Sequence, residues 1–299
     1  MAKSRLLISG FVILALCQAV FGAGSSAGTA SFAFLKLQNS VRAAGMADTF
    51  VAVADDASAA VLNPAGLGRL VQREIQIDHN IWLADTSYSH VVYAHPLGDF
   101  GDVGVIGASL TYLNFGEMME TTRESQAGTA RKFGSSGLEY SLSYGYLLSH
   151  DFSVGVGVKG VQQNLDQSTT SGVAYDVGVL WDLPWPETKF GGTFRNLGNS
   201  LPTETCLGLS SLLLKKQLLV GGEVVLPADN VALLRFGLEY KFTPVMALRA
   251  GFNTRSEEKA GGNWSLGLGL DLTSFRVDYA YVPYEELGSS HRIALGFDL

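Results

Sequence analysis

The sequence predicts an all-β fold, a transmembrane antiparallel β-barrel of about fourteen strands, preceded by a segment of small residues. Three observations carry this. Side chains alternate between two faces from Arg73 to Leu299, one of those faces is free of charge, and the first residues are built for export. Composition agrees: of 299 residues 47 % are hydrophobic, only 16 % are charged and 35 are glycine. Mean hydropathy is +0.19, yet beyond the N-terminus no apolar run approaches the ~18 residues that a membrane helix needs. A membrane crossing would therefore use strands.

Lys3 and Arg5 precede an apolar stretch from Leu6 to Leu16, and "AVFGA" (Ala19 to Ala23) offers small residues to a signal peptidase. The expected signal peptide is residues 1–22. Leu16 is too large for a lipoprotein processing site at Cys17, and cleavage would remove that cysteine. Cys206 would then stand alone, so no intramolecular disulfide forms, and its small side chain is expected on the polar face. The net charge of −7 and pI near 5.2 lack the basic footprint that nucleic acid demands.

Residues 23–70 stand apart from the alternating pattern. "SVRAAGMADTFVAVADDASAAVLN" mixes Ala with Val too freely for one regular helix. Asp55 and Asp56 invite an acid/base or metal reading. No His or Cys lies nearby and no second acidic cluster follows, so capping of backbone N–H groups is the expected role. Asn63, Pro64, Ala65 and Gly66 read as a rigid turn: Pro64 fixes its own φ and restrains Asn63, and Gly66 tolerates positive φ.

Residues 71–299 form the expected barrel. In "GLEYSLSYGYL", Leu138, Tyr140, Leu142, Tyr144 and Tyr146 share one face, against Glu139, Ser141, Ser143 and Gly145. "FSVGVGVKG" and "GVAYDVGVLW" repeat the pattern. In "LLRFGLEYKF", "MALRAGFN" and "SFRVDYAY" charge enters on one face only. A soluble sandwich also alternates. Three features favour a membrane barrel: Tyr, Trp and Phe toward strand ends, a polar face rich in Gly and Ser, and an amphipathic final strand "HRIALGFDL" able to close the sheet. Strand centres are expected near residues 78, 91, 108, 142, 157, 177, 192, 208, 221, 236, 249, 267, 278 and 295. The patterns around "FGGTFRNLG" and "ETCLGLSSLL" are the weakest.

Connections should alternate between short periplasmic turns and longer external loops. "SHD", "LKK", "TPV" and "LTS" are the short set; Gly116 to Gly137, "LDQSTTSG", "RSEEKAGGN" and "VPYEELGSSH" are the long set. "ADT" and "HPLGDFGD" break the parity. The segment Gly116 to Gly137 is long enough to be mobile or a partner contact.

The polar face should line the lumen with both signs of charge: Lys159, Asp176, Glu223, Arg235, Glu239, Lys241, Arg249, Asp271, Arg276, Asp278 and Arg292. The expected arrangement is a network of pairs that holds the N-terminal segment to the wall; a polar pathway is the sharper alternative. The histidines are scattered, no G-x-S-x-G or phosphate-cradling loop occurs, and "NWS" at Asn263 is a chance match to a glycosylation acceptor. No catalytic, metal or cofactor site is expected, and the protein reads as non-enzymatic.

"SVRAAGMADTFVAVADDASAAVLNPAGL", "FSVGVGVKGVQQNL", "AYDVGVLW", "FRNLG" and "VDYAYVPYEELGSSHRIALGFDL" together resemble the PorV/PorQ family of outer-membrane proteins, relatives of the FadL/TodX transporters of hydrophobic compounds. The resemblance implies a fourteen-stranded barrel with the N-terminal segment folded into the lumen as a plug. PorV-like members act with a type IX secretion machine, so secretion-machine proteins or secreted cargo are one implied set of partners. The alternative is FadL-like passage of hydrophobic small molecules. Either way the implied setting is the lipid of the bacterial outer membrane. Two departures stand out: Leu299 ends the chain where an aromatic residue is common, and the chain is short for a FadL-type transporter.

Overall fold

The computed structural model describes residues 30–299, apart from 38, 84–85, 100–101, 255–262 and 285–286. The expected signal peptide and most of "RSEEKAGGN" lie outside the described residues. Fourteen strands follow one another: β1 (Glu74–Ile81), β2 (Ser87–Pro96), β3 (Val105–Met119), β4 (Lys132–Ser149), β5 (Phe152–Leu165), β6 (Ser168–Asp182) and β7 (Thr188–Leu197) make the first half. The second half is β8 (Glu204–Leu213), β9 (Leu218–Pro227), β10 (Leu233–Thr243), β11 (Met246–Asn253), β12 (Trp264–Asp271), β13 (Phe275–Pro283) and β14 (Ser289–Asp298). Each expected centre falls within its strand.

Every strand pairs antiparallel with its sequence neighbours, and β1 pairs with β14 to close the barrel. Closure gives each strand's N–H and C=O groups a partner, the condition for crossing a bilayer. The apolar side chains of the alternation face outward: Tyr140, Leu142, Tyr144, Val156, Phe236, Leu266 and Ile293 are exposed, while Glu139, Ser141, Ser143, Arg235 and Arg292 are buried inside. Period two thus places a charge-free surface on the outside of the barrel, the pattern of a membrane barrel.

Strand length departs from the sequence reading at one place. β3 to β6 run for 14 to 18 residues, against 8 to 11 in the other strands. "LDQSTTSG" is therefore not a long loop: its outer residues continue β5 and β6, leaving Asp166 and Gln167 as the turn. Gly116 to Gly137 likewise contracts to a connection of residues 120–131, because Glu117 pairs with Gly134 and Met119 with Lys132. Thr, Gln and Ser in these stretches carry no apolar alternation, which hides the strands from a hydrophobic pattern. The four strands project beyond their neighbours at the end opposite the short turns, the external end by the loop rule.

Residues 30–70 lie along the inside. Ser31 donates to the Ser200 carbonyl in the external β7–β8 connection, and Leu70 precedes β1 at the opposite rim. Between them come a 3-10 turn (Ala33–Lys36), helical turns Val41–Ala44 and Ala59–Leu62, and a second 3-10 segment (Pro64–Arg69). Ala43, Met46, Phe50, Ala54, Ala60 and Leu67 pack in one buried cluster with Val92, Val105 and Leu180 of the wall. The approach is close enough that a Cβ on Gly155 would stand 2.1 Å from the Pro64 carbonyl carbon. Only glycine fits there.

Candidate functional site: the occupied lumen

A segment with so little regular structure has backbone groups to satisfy, and the wall supplies the partners. Glu223 Oε2 accepts from the N–H groups of Phe50 and Val51 at 3.0 and 3.1 Å. Glu74 accepts from Ala57 at 2.9 Å and Asp78 from Val41 at 3.2 Å. Ser143 and Ser210 donate to the carbonyls of Ala60 and Ala52 at 2.6 and 2.8 Å, and Ser265 accepts from Ala47 at 2.9 Å. The Gly and Ser content of the polar face has a cause here: glycine makes room and serine serves the backbone.

Charge is matched in the same way. Arg42, on the first helical turn, lies 2.6 Å from Asp55, 3.1 Å from Asp56 and 2.8 Å from Glu239 of β10. Glu239 is also held at 2.6 Å by Arg249, which reaches Asp278 at 2.5 Å. Arg235 pairs with Glu223 at 3.2 Å, Arg276 with Glu74 at 2.9 Å, and Lys159 with Asp176 at 2.8 Å. Lys159 also donates to Asn196, whose own N–H donates to Asp176. Asn196 has φ of 56° at a bulge where β6 and β7 shift register, so the bulge turns its amide toward the lumen pair.

The expected residues divide. Lys159, Asp176, Glu223, Arg235, Glu239, Arg249, Arg276 and Asp278 sit in lumen ion pairs. Arg292 is inside: its guanidinium lies over the Trp82 ring at 5.3 Å and donates to the Tyr284 hydroxyl. Lys241 and Asp271 are exposed at the short-turn rim, beside a polar cavity of about 200 Å³ that Arg42 and Asp55 also line. They are rim charges, because the lumen face runs out of the barrel at the ends of β10 and β12.

Asp55 and Asp56 differ in environment. Asp56 is buried and accepts from the backbone N–H and hydroxyl of Ser58, whereas Asp55 is half-exposed and pairs with Arg42. Burial pushes the Asp56 carboxyl up, but Arg42, Arg276 and the Ser58 hydroxyl together hold it below the ordinary range. Asn63 donates to the Val51 and Val179 carbonyls at 2.6 and 3.2 Å and accepts from Ala65 at 3.2 Å. Pro64 opens the 3-10 segment, with Ala65 and Gly66 buried behind it.

Several partners were not among the expected residues. Glu74 and Asp78 alternate with Ile75 and Ile77 in "EIQIDHNI", a signal the sequence does carry. Arg195, 2.8 Å from Glu204 and 3.2 Å from Cys206 Sγ, lies in the weak seventh strand. Arg42 had no periodic context to mark it. Arg69 anchors the end of the inner segment through Asp182 at 2.5 Å. Among the described residues no group of His, Cys, Asp and Glu is placed to hold a metal ion.

The external end is apolar instead. Phe32 and Phe34, edge to face at 6.5 Å, pack with Tyr88, Leu113, Val161 and Leu201. A cavity of about 330 Å³ lies beside Phe32, between the inner segment and the projecting parts of β5 and β6, with Ala33 and Leu165 on its apolar side and Gln163, Ser168 and Thr170 on its polar side. Lys36 ties this part of the segment to Asp229 at 2.6 Å.

Residues 21–210, more than half of the chain, match the model of an uncharacterised protein family, UPF0164. The chain belongs to UPF0164. No curated protein matches it in sequence. In three dimensions this UPF0164 chain is similar to the toluene transporter TbuX of Ralstonia pickettii, with a TM-score of 0.67 at 14 % identity over 90 % of this chain and 100 % of that one. It is similar to a Pseudomonas aeruginosa FadL homologue, with a TM-score of 0.62 at 14 % identity over 87 % and 98 % of the two chains. For the toluene transporter TodX of Pseudomonas putida the score is 0.60 at 13 % identity over 81 % and 93 %. At these identities the likeness establishes the fold alone: a closed fourteen-stranded antiparallel barrel with the architecture of these transporters.

Proposed function

We propose that this UPF0164 chain is a non-enzymatic outer-membrane channel for hydrophobic small molecules, with residues 30–70 as its plug and residues 1–22 as a cleaved export signal. The carrying observation is the contrast between its two ends. The external mouth offers Phe32, Phe34 and their wall partners beside a cavity of about 330 Å³, a size within the usual range for small-ligand pockets. The opposite rim is ionic. A hydrophobic solute would be taken from the external side against the Phe32 and Leu165 side of this mouth, and the inner segment stands between that mouth and the periplasm. Passage therefore requires the segment to shift, breaking contacts with the wall that are individually exchangeable for water.

The type IX secretion role suggested by the family resemblance has less behind it. The similar structures include toluene transporters. The external connection 120–131 also binds itself down, with Arg131 paired to Glu120 at 2.8 Å and to Asp166 at 2.6 Å. The test is uptake of radiolabelled toluene and of a small sugar by cells carrying the chain in an outer membrane without its own hydrocarbon channel. Toluene uptake should rise while sugar uptake does not. Equal behaviour of both solutes, or no gain for toluene, would overturn the proposal.

A further inference from the structure

Arg235, Arg249 and Arg276 each hold a wall carboxylate at 3.2 Å or less. Arg292, only 3 % exposed, is held differently. Its Nε donates to the Ser290 hydroxyl and its Nη2 to the Tyr284 hydroxyl, both at 3.3 Å, and the Trp82 ring covers its face at 5.3 Å. These are long contacts to neutral groups. The remaining nitrogen, Nη1, is buried and finds no hydrogen-bond partner among the described residues. A buried donor left in that state is costly, the more so on a charged group.

Asn80 of β1 is the direct cross-strand partner of Arg292 on β14. It is 1 % exposed, and its Oδ1 is also buried without a hydrogen-bond partner among the described residues. The side chains of such a pair leave the sheet about 5 Å apart. An orphan donor thus stands beside an orphan acceptor, and the two do not bond each other. Asp78, two residues back on β1, is engaged elsewhere, since its oxygens serve Gln76 and the Val41 N–H. Along the same lumen row Asn80 lies opposite Tyr88, and Tyr88 opposite Leu113. Those two side chains cluster with Phe32 and Phe34 of the inner segment.

We propose that Asn80 and Arg292 form a binding site for the hydroxyl of a phenol. A hydroxyl accepts and donates at once, so its oxygen takes the Arg292 N–H and its proton goes to Asn80 Oδ1. A carboxylate only accepts and would set a second oxygen against Asn80, and a plain hydrocarbon satisfies neither atom. The neighbours call for a ring: Trp82 and Tyr284, with centroids 5.9 Å apart, lie on one side of the pair, and Tyr88 and Leu113 on the other. The assignment rests on the reading of the lumen as a route for hydrophobic solutes and narrows the solute to hydroxylated aromatics. Phe34 packs with Tyr88 and Leu113 while the segment is seated, so the ring gains its place as the segment shifts.

The site is tested on the purified full barrel in detergent, irradiated with 4-azidophenol and mapped by peptide mass. Label should fall on β1, β2 or β14. Unlabelled p-cresol should protect at a free concentration about tenfold below that of toluene, from which it differs by the hydroxyl alone. Asn80→Val and Arg292→Met should each bring the two competitors to within about twofold of one another. Heat-modifiable gel migration checks that each variant is folded; if one fails to assemble the other decides, and if both fail the wild-type preference decides. Label confined to other strands, equal protection by p-cresol and toluene, or a preference undiminished in the variants would overturn the proposal, the last by leaving the pair to an internal water. Uptake plays no part in this readout. A barrel that shows the preference yet carries no toluene would therefore sink the channel reading and leave the site standing.

Discussion

Arg42 and Glu239 meet across the boundary between inner segment and wall, with Nε 2.8 Å from Oε2, and Arg249 holds the same oxygen at 2.6 Å. One wall carboxylate thus serves two guanidinium groups, of which one belongs to the segment and one to the barrel. If Arg42 is lost, Glu239 keeps Arg249 while Asp55 and Asp56 lose their shared cation.

Arg42→Ala should therefore loosen the segment and spare the barrel. Removing one member of a buried pair typically costs about 3–5 kcal/mol, and here the cost falls on seating. Limited proteolysis should cut within residues 39–70 in the variant while the strands stay resistant. Unchanged protection of the segment would show that the apolar packing alone holds it.

Acid should act through Asp56. Its carboxyl is depressed below the ordinary value of 3.8 because Arg42, Arg276 and Ser58 outweigh burial. A depressed carboxylate contributes stability that is fully present above the ordinary value and is lost as pH falls through the lower, folded one. Protection of residues 57–60 from hydrogen exchange should therefore fall further as pH drops below about 4 and Asp56 takes up its proton. Asp56→Asn should remove that step and lower protection on its neutral-pH side.

Asn63 joins two parts of the segment to β6 by bonding to the Val51 and Val179 carbonyls. Asn63→Ala leaves these acceptors buried, at a cost of about 1–3 kcal/mol, and should raise single-channel conductance in planar bilayers. Gly155→Val should do so more strongly, since even a Cβ there falls 2.1 Å from the Pro64 carbonyl carbon. Closed channels in both variants, with normal barrel yield, would mean that this contact does not keep the lumen shut.

The strands were legible because a barrel wall imposes a two-residue period and confines charge to one side; Leu138 to Tyr146 and Phe236 to Phe242 state that rule in the sequence. Where neither side faces the bilayer, the rule lapses. Ser168 to Gly172 and Glu117 to Met119 are strand by hydrogen bonding alone, and they read as loop. The lumen pairs were half legible. Arg235 and Glu239 declare themselves as charges on an apolar strand, but their partners include Arg42, in a segment whose conformation follows the wall and not its own propensity. The alternation places Lys241 and Asp271 inside, yet cannot show that their strands have by then reached the rim.

The central claim is that the inner segment must move for a hydrophobic solute to pass. A Cβ on Gly208 of β8 would lie 3.6 Å from the Ala52 Cβ, within the range of about 3.5–4.5 Å spanned by a disulfide. Ala52→Cys with Gly208→Cys, in a Cys206→Ala background, would lock the segment to the wall once Val51 turns aside. Toluene uptake by cells carrying this barrel should be lost on oxidation and restored by reductant. Uptake that is the same in the oxidised and reduced barrels, with the crosslink verified by mass, would contradict a moving plug.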